Sequence, residues 1–337
     1  MLNVLLAVVA MAVAQASAPK PVDDEFPRPK NAALAFWRAW STEPGSLAQA
    51  MEPEFNGREP AWTPSERLNN ELAADAAYVD ALVGATALPE CDWGVDYADV
   101  LGTPQPHIEK LRASARVLVS DCRRLIGAND RAKAATRIVA LYRLAWLARD
   151  DRLTAMSGVG LGFARMAADE IRRLPAEFTF DGPTIESLRV AAGALDGPDT
   201  FHYERAIRLQ GVILARHVKS HFQGAEAGKL FLREMARGGE PQEIVEKIQA
   251  MDGAALGAAA DQVQVYYAEL AKAWSDPKAA DRIAALQQEV LNGQRGPVAF
   301  LTASDFLGAR RSADEHLAAA KEAQGRLETM RKLPSAK

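Results

Sequence analysis

Apolar residues recur three and four apart over long stretches of this chain. The clearest run begins near Pro104 and carries Ile108, Leu111, Ala115, Leu118, Val119, Cys122, Leu125 and Ile126 on one stripe. That spacing predicts a helix with one buried face. Glu109, Lys110, Arg112, Arg116, Asp121, Arg123 and Arg124 fall on the other side and read as a solvated face. Gly127 can take the left-handed conformation that closes a helix. Asn129 and Asp130 then offer side-chain oxygens to cap the next one.

A second helix follows through Ala134, Ile138, Leu141, Tyr142, Ala145 and Trp146, with Arg137 expected on its wet side. So short a connection makes the two helices antiparallel. Asp150 and Asp151 interrupt the pattern. A third helix then runs through Leu153, Met156, Val159, Leu161, Phe163, Met166, Ala167, Ile171 and Leu174 to Pro175, which cannot continue it. Leu118, Ile138, Leu141 and Phe163 are expected to share one core. Gly158, Gly160 and Gly162 within the third helix read as close helix–helix contact, or as a hinge or ligand approach.

The flanking sequence repeats this pattern more loosely. Upstream, a short helix carries Leu34, Phe36, Trp37 and Trp40, and Pro64 opens a longer one through Leu68, Leu72, Ala76, Val79, Leu82 and Val83. Downstream, helices are expected over 184–195, 200–221, 230–236, 244–251, 263–273 and 282–291. Gly296-Pro297 precede a last one with Phe300, Leu301, Phe306, Leu307 and Leu317, and the polar end is expected to fray. No stretch alternates with period two. The fold class is all-α: an array of antiparallel helical hairpins, solenoid-like or an irregular bundle. The divisions are a Pro-containing leader with short helices over 17–63, a hairpin core over 64–222 and a looser helical region over 223–337.

Composition narrows the class. At 337 residues, 48% hydrophobic and 25% charged, the chain is long and apolar enough to bury a core. A formal net charge of −4 gives no basic excess for nucleic acid. Leu2 to Val13 is an apolar run followed by Ala14-Gln15-Ala16, the small residues that signal peptidase accepts. It is too short for a standard membrane span. The expectation is a signal peptide over 1–16, export to the periplasm or exterior, and no stable membrane insertion after cleavage.

Few residues stand out for chemistry. Cys91 and Cys122 are the two cysteines, and in an exported chain they form a disulfide or remain two buried thiols. His217 and His221 share a helix face at metal-chelating spacing, but no third ligand is identifiable, so the face reads as solvated and no metal is assigned. Glu204 and Arg143 sit among apolar neighbours, either as a buried ion pair between helices or with Glu204 as a general base in a groove. Trp93 and Tyr97 either line a groove or plug one end of the bundle. A nucleophile elbow, a phosphate-binding loop, a dinucleotide fingerprint and a Cys-x-x-Cys pair are all missing, so neither catalytic residues nor a cofactor are assigned.

The run from Leu88 to Asp99, containing Cys91-Asp92-Trp93-Gly94-Val95-Asp96-Tyr97, resembles a motif of secreted helical proteins common in planctomycetes. There it precedes a helical hairpin. Asn129-Asp130-x-x-x-Ala134, Leu141-Tyr142-Arg143-Leu144, Glu204-Arg205-Ala206 and Gly296-Pro297-Val298-Ala299 resemble later motifs of the same family. The hairpin is also similar to a tetratricopeptide unit, without that repeat's fixed period. The resemblance implies a secreted helical-hairpin protein and no assigned activity. The expected function is a non-enzymatic exported scaffold that binds a protein or peptide. The alternative is a periplasmic enzyme or metal binder using Glu204 or the His217–His221 pair.

Overall fold

A computed structural model describes residues 30–332, apart from 58, 60, 98–104, 150, 194–198 and 237. The expected signal peptide, the helix start at Pro104 and the Asp150 and Gly197-Pro198 punctuation lie outside the described residues. Among the described residues there are fifteen helices and no strand, so the protein is all-α. One isolated parallel bridge joins Asn31 to Glu90.

Helix α1 (Ala32–Ser41) starts where the Asn31 side chain accepts a bond from the Ala33 amide, a cap that satisfies one of the free donors of a first turn. It buries Phe36 and Trp40, and α2 (Gly45–Glu54) buries Leu47 and Met51. Much of the expected leader thus belongs to the core. The long helix expected after Pro64 is two, α3 (Glu66–Ala74) and α4 (Ala76–Thr86), broken at Asp75. Aspartate competes for backbone hydrogen bonds and favours helix ends. With the break, α3 packs on α2 and α4 packs on α1.

The hub is α5 (Pro106–Gly127), α6 (Arg131–Arg149) and α7 (Thr154–Arg173). Pro106 occupies the first turn of α5, where its missing amide hydrogen costs nothing. The left-handed residue between α5 and α6 is Asn129 (φ 56°), whereas Gly127 stays helical. Asparagine tolerates that conformation because its side chain can bond locally. Leu118, Ile138, Leu141 and Phe163 are all buried in one core, as the stripes require. Gly160 makes a close helix contact: a Cβ there would lie 3.0 Å from the Ala145 carbonyl oxygen.

The expected wet faces of α5 and α6 are partly wrong. Arg137 is only 4% exposed. Its Nε donates to Asp121 Oδ2 and its guanidinium also reaches Asp80 on α4, each at 2.7 Å. Arg123 is buried too, and its Nη2 donates to Glu170 Oε1 on α7 at 2.8 Å. The same guanidinium donates to the carbonyls of Gly57, Glu59 and Trp62. The physical reason is that α5 is covered by α3 and α4 as well as by α6 and α7. Charges on such a helix must find partners inside.

Beyond the hub come α8 (Gly182–Gly193), α9 (Tyr203–His221), α10 (Ala227–Met235), α11 (Gln242–Gln249) and α12 (Gly253–Trp274). The chain then makes α13 (Ala279–Leu291), α14 (Gly296–Thr302) and α15 (Phe306–Lys332). Helix α9 lies along α12, with Gly211 against Tyr267: a Cβ there would come within 2.5 Å of the Tyr267 Cβ. Helix α15 returns to pack on α7 and α8. The expected fraying does not occur up to Lys332: Ala323 and Leu327 are fully buried, and Arg326 donates to the Arg172 carbonyl at 2.6 Å. An arginine there satisfies free acceptors at the last turn of α7. Among the described residues no helix is long and apolar enough to cross a membrane.

Candidate functional site

Helices α6 and α8 pack side by side and leave a surface groove of about 490 Å³ between them. One wall is Val139, Tyr142, Arg143 and Trp146, and the other includes Pro183, Glu186, Ser187, Val190 and Ala191. Three-and-four spacing puts each set on one helix face. Trp146 is 36% exposed and Val190 is 65% exposed, so the groove presents large apolar surface to solvent. The Arg149 guanidinium lies 3.1 Å from the Trp146 ring centre, which holds the indole against α6.

The polar groups of the groove are few. Arg143 is exposed on its wall. Glu186 is already held by Arg189 at 2.7 Å. The Tyr142 hydroxyl is buried without a hydrogen-bond partner, and burial, then the nearby Asp169 charge, raises its pKa. Among the described lining residues the groove therefore combines apolar contact with the exposed cation of Arg143. Its volume is that of an ordinary ligand cleft.

The expected Glu204–Arg143 pair does not form. Glu204, at the start of α9, accepts from Arg208 at 2.6 Å and from the Ser275 hydroxyl at 2.7 Å. It ties α9 to the end of α12, while Arg143 lies on the groove wall. The buried arginine–glutamate pair between helices is Arg123–Glu170, built from a residue assigned to a wet face. Sequence offers no sign of it, because its covering segments lie far away in the chain.

Trp93 and Tyr97 close one end of the hub and do not line the groove. Trp93 stacks on Trp40 at 5.7 Å and on His107 at 4.8 Å. Asn31 holds the segment by bonding both the amide and the carbonyl of Asp92. The Tyr97 hydroxyl donates to Asp151 Oδ1 at 3.0 Å, and burial beside that carboxylate pushes its pKa up to about 12. His107 Nε2 lies 3.6 Å from the other oxygen of Asp151.

No disulfide joins Cys91 to Cys122. Cys122 is fully buried on α5, its sulfur 3.7 Å from the Ala134 carbonyl, and burial pushes the thiol pKa well up. Cys91 is half-buried against the core. The His217–His221 face is not simply solvated. The two rings stack at 4.3 Å, and buried His217 places Nε2 2.6 Å from Glu234 Oε1. Among the described residues no group of three His, Cys, Asp or Glu side chains is arranged to hold a metal.

A second polar cluster escaped sequence reading. Asp199, Tyr203 and His316 face one small cavity among Leu161, Phe201 and Trp274. Burial pushes the Asp199 pKa up to about 6, against the lowering by the Glu204 and Tyr203 amides. Burial, then the Arg165 charge, lowers the His316 pKa to about 4. His316 lies over a hundred positions from Asp199 and Tyr203, so the cluster carries no local pattern.

Fold and groove together define an all-α protein with a helix-walled surface cleft. Neither a family model, nor a curated protein, nor a solved structure matches the chain.

Proposed function

We propose that the protein is an exported, non-enzymatic helical scaffold that holds a peptide segment of a partner protein in the α6–α8 groove. The observation that carries this is the exposure of Trp146 and Val190 in a cleft beside Arg143. Exposed apolar surface rimmed by polar groups marks interaction sites. The apolar walls select a bulky aliphatic or aromatic side chain. Arg143 selects a neighbouring carboxylate, because a guanidinium pairs with carboxylates in planar, bidentate geometry. Export rests on the apolar run and Ala14-Gln15-Ala16. The rival enzyme or metal reading draws on groups already engaged, Glu204 with Arg208 and Ser275, and His217 with Glu234.

The test is selection of a random peptide display library on the purified protein. The expected result is enrichment of peptides pairing an apolar residue with Asp or Glu, whose binding is lost in Trp146→Ala and weakened at least about tenfold, or 1.4 kcal/mol, in Arg143→Glu. Selected peptides that bind both variants as well as the parent protein would overturn the groove as the site.

A further inference from the structure

His316 sits on α15 at 1% exposure, and both of its ring nitrogens lie buried without a hydrogen-bond partner in the protein. A neutral imidazole carries one donor and one acceptor, and burying both unmade is costly. The residues that fix the ring are apolar: Phe201 meets it edge-on at 5.5 Å between ring centres. The small pocket it lines has about 10 Å³ of space, the least that admits a single water. Two other polar side chains line the same space, Asp199 from the turn before α9 and Tyr203 from its first residue.

We propose that this cavity is a built binding site for a single ordered water molecule, which links His316 on α15 to Asp199 and Tyr203 at the start of α9. A water needs two to four polar partners to remain in an interior. Here the imidazole offers an N–H and a lone pair, Tyr203 a hydroxyl, and Asp199 the carboxylate lone pairs left over from its bonds to the Glu204 and Tyr203 amides and the Trp274 side chain. The charged groups acting on His316 are Arg165 and Asp169 on α7, and those acting on Asp199 include Glu204. Arg165 pairs with Glu315 at 2.8 Å and makes no bond to the imidazole. The link gives the last helix a directional attachment to α9, in addition to its apolar packing on α7 and α8.

The experiment has two readouts on the full chain. A high-resolution crystal structure should show one isolated density peak about 3 Å from a His316 ring nitrogen. The ¹⁵N spectrum at neutral pH should show one nitrogen protonated and a hydrogen-bond shift at the ring. In His316→Leu the peak should vanish while the fold is kept, since leucine fills much of the ring's space but offers the water neither donor nor acceptor. A wild-type cavity without density, or a peak retained in His316→Leu, would overturn the proposal. Should that variant not fold, the wild-type density and ring shifts still decide.

Discussion

Arg137 Nε and Asp121 Oδ2 lie 2.7 Å apart, with both side chains almost wholly removed from solvent. The pair joins α5 to α6 toward their connection, and Asp80 adds a third partner from α4. Hydrogen bonds and opposite charge hold the Arg137 pKa above its ordinary value despite burial. Asp121 has a second guanidinium partner, Arg124, bonded to its other oxygen at 2.7 Å, so removing Arg137 strips the buried carboxylate of one of its two cationic partners. Arg137→Ala loses buried, charge-assisted hydrogen bonds and is expected to cost about 1.5–3 kcal/mol. Urea unfolding of the variant checks this, and a change below about 0.5 kcal/mol, the figure for an exposed site, would count against the pair.

Leu141, one turn along the same helix, is fully buried in the apolar core. Leu141→Ala should cost about 2–5 kcal/mol from lost transfer energy and an unfilled cavity. The two variants on α6 should thus be comparably destabilised, through different physics. Combining Arg137→Met with Asp121→Leu should recover much of what Arg137→Ala loses, because buried pairs are often replaceable by apolar residues of similar size. Denaturant midpoints for the set decide between charge and packing.

Gly160 and Gly162 make opposite predictions two residues apart. A Cβ at position 160 meets the Ala145 carbonyl at 3.0 Å, whereas position 162 has nothing within 4 Å. Gly162→Ala should stabilise the protein by up to about 1 kcal/mol through helix propensity. Gly160→Ala should destabilise it by pushing α6 and α7 apart. Melting curves that move in the same direction for both would show that the α6–α7 approach is looser than the structure has it.

Acid dependence follows from His316 and Asp199 with opposite signs. His316 is held at about 4 against an ordinary 6.5, so the unfolded chain binds the extra proton. Its contribution is full above pH 6.5 and is lost as pH falls toward 4. Asp199 is raised from 3.8 to about 6, so its contribution is full below pH 3.8 and is lost as pH rises through 6. His316→Leu should flatten the acid side of the stability profile, and Asp199→Asn should remove the opposing slope. Stability measured from pH 4 to pH 7 in both variants tests the assignment.

The groove predicts a separation of binding from stability. Val190 is largely exposed, so Val190→Glu should change stability by less than about 0.5 kcal/mol. The same change puts a carboxylate beside Arg143 and into an apolar wall, which should abolish binding of the selected peptides. Loss of binding together with unfolding would make the site structural.

The stripes of Leu118, Ile138, Leu141 and Phe163 were legible because a helix repeats every 3.6 residues and each needs a buried side. Arg137, Arg123 and Asp121 were not, because segments from before α5 cover a second side of the hub, and periodicity within one helix cannot report that. The break at Asp75 was hidden by an apolar pattern that runs straight through it. Arg143 was singled out by its apolar neighbours, but the wall opposite comes from α8, where Val190 and Glu186 look like ordinary surface positions. Trp93 and Tyr97 were visible as aromatics on a loop; whether they opened a groove or sealed an end depended on Asn31 and Asp151, at distant positions.

The return of α15 to α7 and α8 makes a closed circuit of the chain. Everything from α9 to α14 is then a long excursion whose two ends are tied together. Closing so large a loop costs entropy that cannot be repaid until the last helix is available. A chain delivered from its N-terminus can assemble the hub early, but it is left with an open flank on α7 until Ala323 and Leu327 arrive. Loss of the final few turns should therefore act far from the cut, exposing apolar surface at the middle of the sequence and favouring capture or aggregation of an otherwise folded hub.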